Sequence, residues 1–248
     1  MDKLYIVIPA YNEQDNIEAV VNDWYPVVEM AGEDSRLVII DDGSRDATYA
    51  KLQELAQTRP QLEPLHKENG GHGATILFGY QYAIDRGADY IFQTDSDGQT
   101  LPSEFDDFWK QRAEYDMVIG HRRGRQDGFS RVVVTKVLKA VCLLCFHVSV
   151  QDANTPFRLM KAESLKKEIG LIPKDYNLSN VVVSVLFIKK GYRVKYLPIT
   201  FRPRQGGVNS INLKKIAKIG QKAVKDFIQI NKIIKASSKE IQTDEHKE

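Results

Sequence analysis

Cysteine is nearly absent from this chain. Two thiols stand among 248 residues, Cys142 and Cys145, three apart in one apolar run. A disulfide framework is excluded, and a reducing compartment follows as the expectation. Excess charge of one sign is missing too. Lys and Arg number 35 against 33 Asp and Glu, a net +2, so no global field draws the chain to nucleic acid and any steering comes from local patches. Uninterrupted apolar runs are short. The longest tract, VVVTKVLKAVCLLCFHVSV from Val132, is broken by Lys136, Lys139 and His147 and falls below the roughly 18 residues of a spanning helix. The opening MDKLYIVIPAYNE has too little apolar length for a signal peptide. No glycine follows the first strand in PAYNEQDN, which removes a dinucleotide-binding fingerprint. The expectation is a cytoplasmic protein, either free or peripheral on the cytoplasmic face of a membrane.

What is present is alternation. Short β-branched runs (LYIVIPA, RLVIIDDG, LEPLHKE, DYIFQTD, YDMVIGHR) are separated by stretches of helical periodicity over 13–31, 46–58, 73–86 and 102–113. This βαβα order predicts a mostly parallel sheet flanked by helices, with ligands at the carboxyl ends of the strands. Further helices are expected over 130–146 and 180–190, then the strand RVKYLPITF. From Asn212 to Ile234, apolar residues recur on one helix face and lysines occupy the other. Residues 1–235 read as one domain, and 236–248, without apolar periodicity, as a disordered tail.

Polar clusters close the strands. In DDGSRDAT, Asp41 and Asp42 end a strand, Gly43 permits the turn, and Ser44 or Asp46 can cap the next helix. The same residues suit either a plain turn or an acidic contact to a nucleotide. In NGGHGAT, glycines 70, 71 and 73 open a helix and fit either close approach to an anion or tight packing. His72 reads as solvent-facing, because no second histidine or cysteine stands at metal-ligand spacing. In DSDGQ, residues two apart on an extended chain point the same way, so Asp95 and Asp97 converge and repel unless a cation joins them. Magnesium or manganese would take these oxygens and fill its other positions with phosphate and water, with Gln99 adding an amide oxygen. Arg122, Arg123, Arg202 and Arg204 stand beside glycines and could clamp phosphates or be solvated surface.

Taken in order, IPAYNE (8–13), DDGS (41–44), NGGHGAT (69–75), DSDGQ (95–99), DANTPFRLM (152–160) and RQGGVNS (204–210) resemble the family 2 glycosyltransferases of the GT-A fold. Within that family the pattern is most similar to the dolichol- and polyprenyl-phosphate sugar synthases. The resemblance implies a Rossmann-like α/β domain ending in an amphipathic helix, and an inverting, metal-dependent transfer from a UDP- or GDP-sugar. It implies that Pro9, Tyr11, Glu13, Asp42, Asp95 and Ser96 surround the nucleotide sugar, and that Asp95, Asp97 and Gln99 hold Mg2+ or Mn2+. Catalytic roles fall on Asp97, Asp152 and Arg158. Arg122, Arg158, Arg204 and Ser210 fall at positions that bind donor or acceptor phosphate.

The chain departs from the family pattern at His72, where lysine is common, and at Lys174-Asp175, where a Glu-Asp pair would mark a general base. A phosphate monoester needs no base, since it is already an anionic nucleophile. A saccharide hydroxyl does, with Asp152 or Asp175 as candidates. The favoured acceptor is therefore a polyprenyl phosphate, with a saccharide hydroxyl as the alternative. A catalytically silent nucleotide-sugar-binding subunit with a membrane partner is the competing class. From Lys189 to Lys239 there are fourteen basic residues against one acid, Asp226. Such a helix suits either an anionic leaflet or packing on the domain with a solvated lysine face.

Overall fold

The computed structural model describes residues 2–122, 129–202 and 224–236. Its centre is a seven-stranded sheet in the order β3-β2-β1-β4-β6-β5-β7. The strands are β1 (Leu4–Ala10), β2 (Arg36–Asp41), β3 (Leu62–His66), β4 (Tyr90–Gln93), β5 (Met117–Arg122), β6 (Arg158–Lys161) and β7 (Val194–Ile199). The helices are α1 (Ile17–Ala31), α2 (Thr48–Ala56), α3 (His72–Asp85), α4 (Phe105–Lys110), α5 (Phe129–Phe146), α6 (Ala162–Glu168) and α7 (Ser179–Lys189), with residues 224–236 also helical. The first four strands in space run parallel, as does the pair β5 and β7, so the expected mostly parallel α/β sheet is found.

One central strand was not foreseen. β6 pairs antiparallel with both β4 and β5, wedged into the middle of the sheet. Its four residues, RLMK, carry no alternation that could signal a strand, and it is held by partners far away in the chain.

Side-chain alternation along β1 explains the layering. Leu4, Ile6 and Ile8 point into one core with α1, Leu52 of α2 and Phe105 and Phe108 of α4, while Tyr5 and Val7 point into the other. β2 splits likewise, Leu37 and Ile39 against Val38 and Ile40. The second core takes Ile76, Tyr80 and Ile84 of α3, most of α7, and Cys142 and Phe146 of α5. Gly79 lets α3 lie flat on the sheet: a Cβ there would stand 2.4 Å from Val7 Cγ1. Burial pushes the Cys142 thiol up to about 11, with Cys145 adding to it, so this thiol packs as a small apolar group.

The carboxy-terminal helix belongs to that second core. Phe227, Ile230 and Ile234 are buried, and the Phe227 ring lies 5.1 Å from Phe146. Asn231 Nδ2 donates to the Cys145 carbonyl at 2.8 Å, and Lys189 Nζ to the Phe146 carbonyl at 2.8 Å. Two carbonyls left open at the end of α5 are thereby satisfied. Packing on the domain accounts for Phe227, Ile230 and Ile234, while residues 212–223 of the expected helix lie outside the described residues. No helix among the described residues is long and apolar enough to cross a membrane.

Candidate active site

The carboxyl ends of β1, β2 and β4 enclose a cleft of about 470 Å³, lined by Pro9, Ala10, Tyr11, Glu13, Asp42, Asn69, Gly71, His72, Thr75, Asp95, Ser96 and Asp97. This is where a parallel sheet presents its loops to a ligand. The register brings Ala10 opposite Asp41, and the Asp42 amide continues the ladder to the Ala10 carbonyl at 2.9 Å. Beyond that point the two loops are laced by side chains. The Asn12 amide donates to Ser44 Oγ, the Glu13 amide to Thr48 Oγ1 and the Arg45 amide to Asn12 Oδ1, each at 2.9 Å. Asp46 accepts from the Thr48 amide at 3.0 Å at the start of α2. The polar residues after β1 and β2 are therefore tied to one another, which fixes the rim on which Tyr11 and Glu13 sit.

Asp42 is the organiser of the opposite wall. Its Oδ1 accepts from Lys67 Nζ at 2.6 Å and the Gly70 amide at 2.9 Å, and its Oδ2 from the Gly71 amide at 2.9 Å. Burial would raise its pKa, but the hydrogen bonds from Lys67 and Gly70 outweigh it and hold the carboxyl below the ordinary aspartate value. The bonds shape the turn that starts α3. Gly73 is required there for packing: a Cβ would stand 2.3 Å from the Tyr176 carbonyl oxygen. The amino-terminal turn of α3 thus faces the cleft, with the positive end of its dipole available to an anion. Lys67 was not singled out from the sequence. Its only signal was a basic residue just ahead of the glycine turn.

Asp95, Ser96 and Asp97 form the floor. Asp95 Oδ1 is buried and has no hydrogen-bond partner among the described residues. His72 Nε2 stands 3.7 Å away, beyond hydrogen-bond reach. A buried acceptor without a donor is costly unless a ligand satisfies it. The residues present therefore fit a divalent cation. His72 is half exposed, as a solvent-facing residue would be, yet its ring lines the cleft beside this acid.

Several other residues singled out from the sequence lie elsewhere. Gln99 is not on the cleft: its Nε2 donates to the Arg202 carbonyl at 2.7 Å and its own carbonyl accepts from the Arg202 amide at 2.8 Å, which joins the β4 loop to the segment after β7. Arg122 and Asp152 are brought together as a largely buried bidentate pair, Nε to Oδ2 at 2.9 Å and Nη2 to Oδ1 at 3.0 Å, with the guanidinium 5.0 Å from the Phe201 ring. Arg158 is fully buried. It donates to the carbonyls of Thr155, Asn180 and Ala153, at 2.6 Å for the shortest, and to Ser184 Oγ. That guanidinium touches no cleft residue through these bonds and holds the 153–155 loop to α7. Burial lowers its pKa, opposed in part by nearby acidic groups that include Asp152 and Asp95. Asp175 is exposed in the loop against α3. Arg123, Arg204, Ser210 and, of the expected tail, residues 237–248 lie outside the described residues, while Ala236 ends the helix.

Comparison with known proteins decides the family. The sequence profile of "Glycosyl transferase family 2" matches residues 5–169, well over half of the chain. The chain belongs to that family. Among curated relatives, this glycosyltransferase is 27% identical over 216 residues to the polyprenol monophosphomannose synthase of Mycolicibacterium smegmatis, covering 84% of this chain and 80% of the relative. It is 29% identical over 188 residues to the UDP-N-acetylglucosamine–dolichyl-phosphate N-acetylglucosaminyltransferase of Methanococcus voltae, 66% of this chain and 72% of that one. Its fold matches glucosyl-3-phosphoglycerate synthase from Mycobacterium tuberculosis, crystallised with Mn2+ and UDP-glucose, at a TM-score of 0.65 and 17% identity over 92% of this chain and 79% of that one. The seven-stranded sheet is therefore that of the GT-A glycosyltransferases.

Proposed function

We propose that this family 2 glycosyltransferase moves a sugar, with inversion, from a UDP- or GDP-sugar to a polyprenyl phosphate. The observation that carries the reading is the convergence of Tyr11, Glu13, Asp42, Asp95 and Asp97 on one cleft, in which an acid oxygen is buried without a donor. In this reading Pro9, Tyr11 and Glu13 bound the nucleoside, and the turn that Asp42 holds presents the start of α3 to the diphosphate. Asp95 and Asp97 would hold Mg2+ or Mn2+, which supplies positive charge to a departing diphosphate. Ser96 stands between them on the cleft floor.

The choice of acceptor rests on Asp152, one of the two candidate bases. Both oxygens of Asp152 are turned to Arg122, and Asp152 does not line the cleft. A hydroxyl acceptor would need a base, whereas a phosphate monoester arrives ionised: its oxygen attacks the anomeric carbon as the bond to the diphosphate breaks. The relatives that act on polyprenyl and dolichyl phosphates support the same acceptor. Access to a lipid fits the surface around the end of α5. Val137, Leu143 and Leu144 of α5 and Ile228 and Ile233 of the 224–236 helix are exposed, with Lys139, Lys225, Lys232 and Lys235 exposed among them. This arrangement would seat the protein peripherally on an anionic leaflet.

The test supplies radiolabelled UDP- and GDP-sugars, a short polyprenyl phosphate in detergent, and manganese or magnesium. Label should enter a butanol-extractable, acid-labile product, and Asp97→Ala should lower that rate at least a hundredfold. Label found only in water-soluble glycan would reject the lipid-phosphate acceptor. Donor binding with no transfer or hydrolysis under any acceptor would favour a silent binding subunit instead.

A further inference from the structure

His72 opens α3, and its position is fixed by what surrounds it. The glycine next to it is jammed against the Tyr176 and Asn177 carbonyls, and the amide of the preceding Gly71 is tied to Asp42. Its Nε2 stands 3.7 Å from Asp95 Oδ1, the buried oxygen without a hydrogen-bond donor. That separation is too long for a hydrogen bond. It is short enough for one ion to reach both atoms: two atoms each about 2.1 Å from one cation stand about 3.0 Å apart at a right angle and about 4.2 Å apart when opposed, and 3.7 Å lies between. Resting on the transferase reading above, we propose that His72 is a ligand to the cation held by Asp95, so that the site is a mixed imidazole and carboxylate centre.

The chemistry of such a centre differs from that of an all-oxygen one. Imidazole nitrogen binds later first-row ions better than Mg2+, so His72 would tilt the preference of the cleft from magnesium towards manganese and cobalt. Among the described residues no three His, Cys, Asp or Glu side chains already form a closed cage. An open site of this kind leaves positions for phosphate oxygens and water, as a substrate-binding ion requires.

The test uses the whole chain, Mn2+ and inorganic pyrophosphate, which contains no nitrogen. Pulsed electron paramagnetic resonance of the bound Mn2+ should show 14N modulation from a directly bonded imidazole. In His72→Ala the modulation should vanish while Mn2+ still binds, at least the roughly tenfold more weakly that even an outer partner's loss produces. The ratio of Mn2+ to Mg2+ affinity should fall in the same variant. Mn2+ bound to the wild type without 14N modulation would overturn this inference and leave the metal-dependent reading standing. No Mn2+ binding at all in the presence of pyrophosphate would overturn both.

Discussion

Replacing Asp42 by asparagine tests the claim that this acid builds the cleft wall. The side chain keeps its shape, but the carboxylate loses its charge and one oxygen becomes an NH2 group. Whichever way the amide turns, a donor then faces either Lys67 and the Gly70 amide or the Gly71 amide, at sites where those groups now lie 2.6 to 2.9 Å from an oxygen. Hydrogen bonds to a charged group contribute about 1.5–3 kcal/mol each, and a buried donor left unpaired costs about 1–3 kcal/mol. Allowing for the partly solvated Lys67, the expected loss is about 3 kcal/mol. For a chain of this size that lowers Tm by about 6–12 °C. The pH dependence carries a second signature. The folded pKa of Asp42 is depressed, so its contribution is present above the unfolded value of about 3.9 and is lost as pH falls through the lower folded value. Thermal melts of the two proteins should therefore differ from neutral pH down to about pH 4 and converge below it. A Tm difference under about 2 °C at pH 7, or one that stays constant through pH 3, would refute the assignment.

Other substitutions probe the remaining elements. Arg158→Met removes the donor of the Thr155 carbonyl, while Ser184 Oγ still donates to the carbonyls of Ala153 and Asn180, so the loss should be about 1–3 kcal/mol, read as a Tm fall of about 2 °C or more; an unchanged melt would contradict its role as an internal tie. Phe227→Ala removes a fully buried ring against Phe146 and should cost about 3–5 kcal/mol, with early proteolysis of the carboxy-terminal helix as the local readout; equal protease resistance would show that the helix is not held by this contact. Exchanging Lys232 and Lys235 for glutamine removes about 1 kcal/mol of membrane attraction per lysine, so sedimentation with phosphatidylserine vesicles should weaken by about thirtyfold with Tm unchanged; binding that does not respond would place any lipid contact elsewhere.

Local pattern revealed much of this architecture, and the reason is visible in β1, β2 and β4. Each is buried on both faces and ends in or runs straight into polar residues, so both the strand and the polar segment after it are written in consecutive letters. The carboxy-terminal helix was legible for the same reason, since Phe227, Ile230 and Ile234 repeat at helical spacing and are the residues that pack. β6 was not legible, because four residues with a buried arginine and a lysine carry neither period, and only the antiparallel pairing with β4 and β5 makes them a strand.

The side chains that sequence order could not place are those whose partners lie across a crossover. An arginine in a phosphate-binding motif looks the same in one dimension whether it faces a ligand or, like Arg158, the carbonyls of its own loop. Gln99 stands at the right spacing to follow Asp97, yet its side-chain NH2 donates to the Arg202 carbonyl of the segment after β7, more than a hundred residues away, and it does not line the cleft. The same logic works in reverse at His72. It has no ligand neighbour in sequence, and gains Asp95 only because α3 and β4 return to adjacent edges of the cleft. Asp95 and Asp97 both line the cleft, but they stand in the turn after β4 with Ser96 lining it between them, so the alternation of an extended strand is not what brings them there. The remaining contacts of a metal or phosphate are set by loops that meet only once the parallel sheet has formed, which is why a basic or imidazole group near such an acid has to be read from the folded chain.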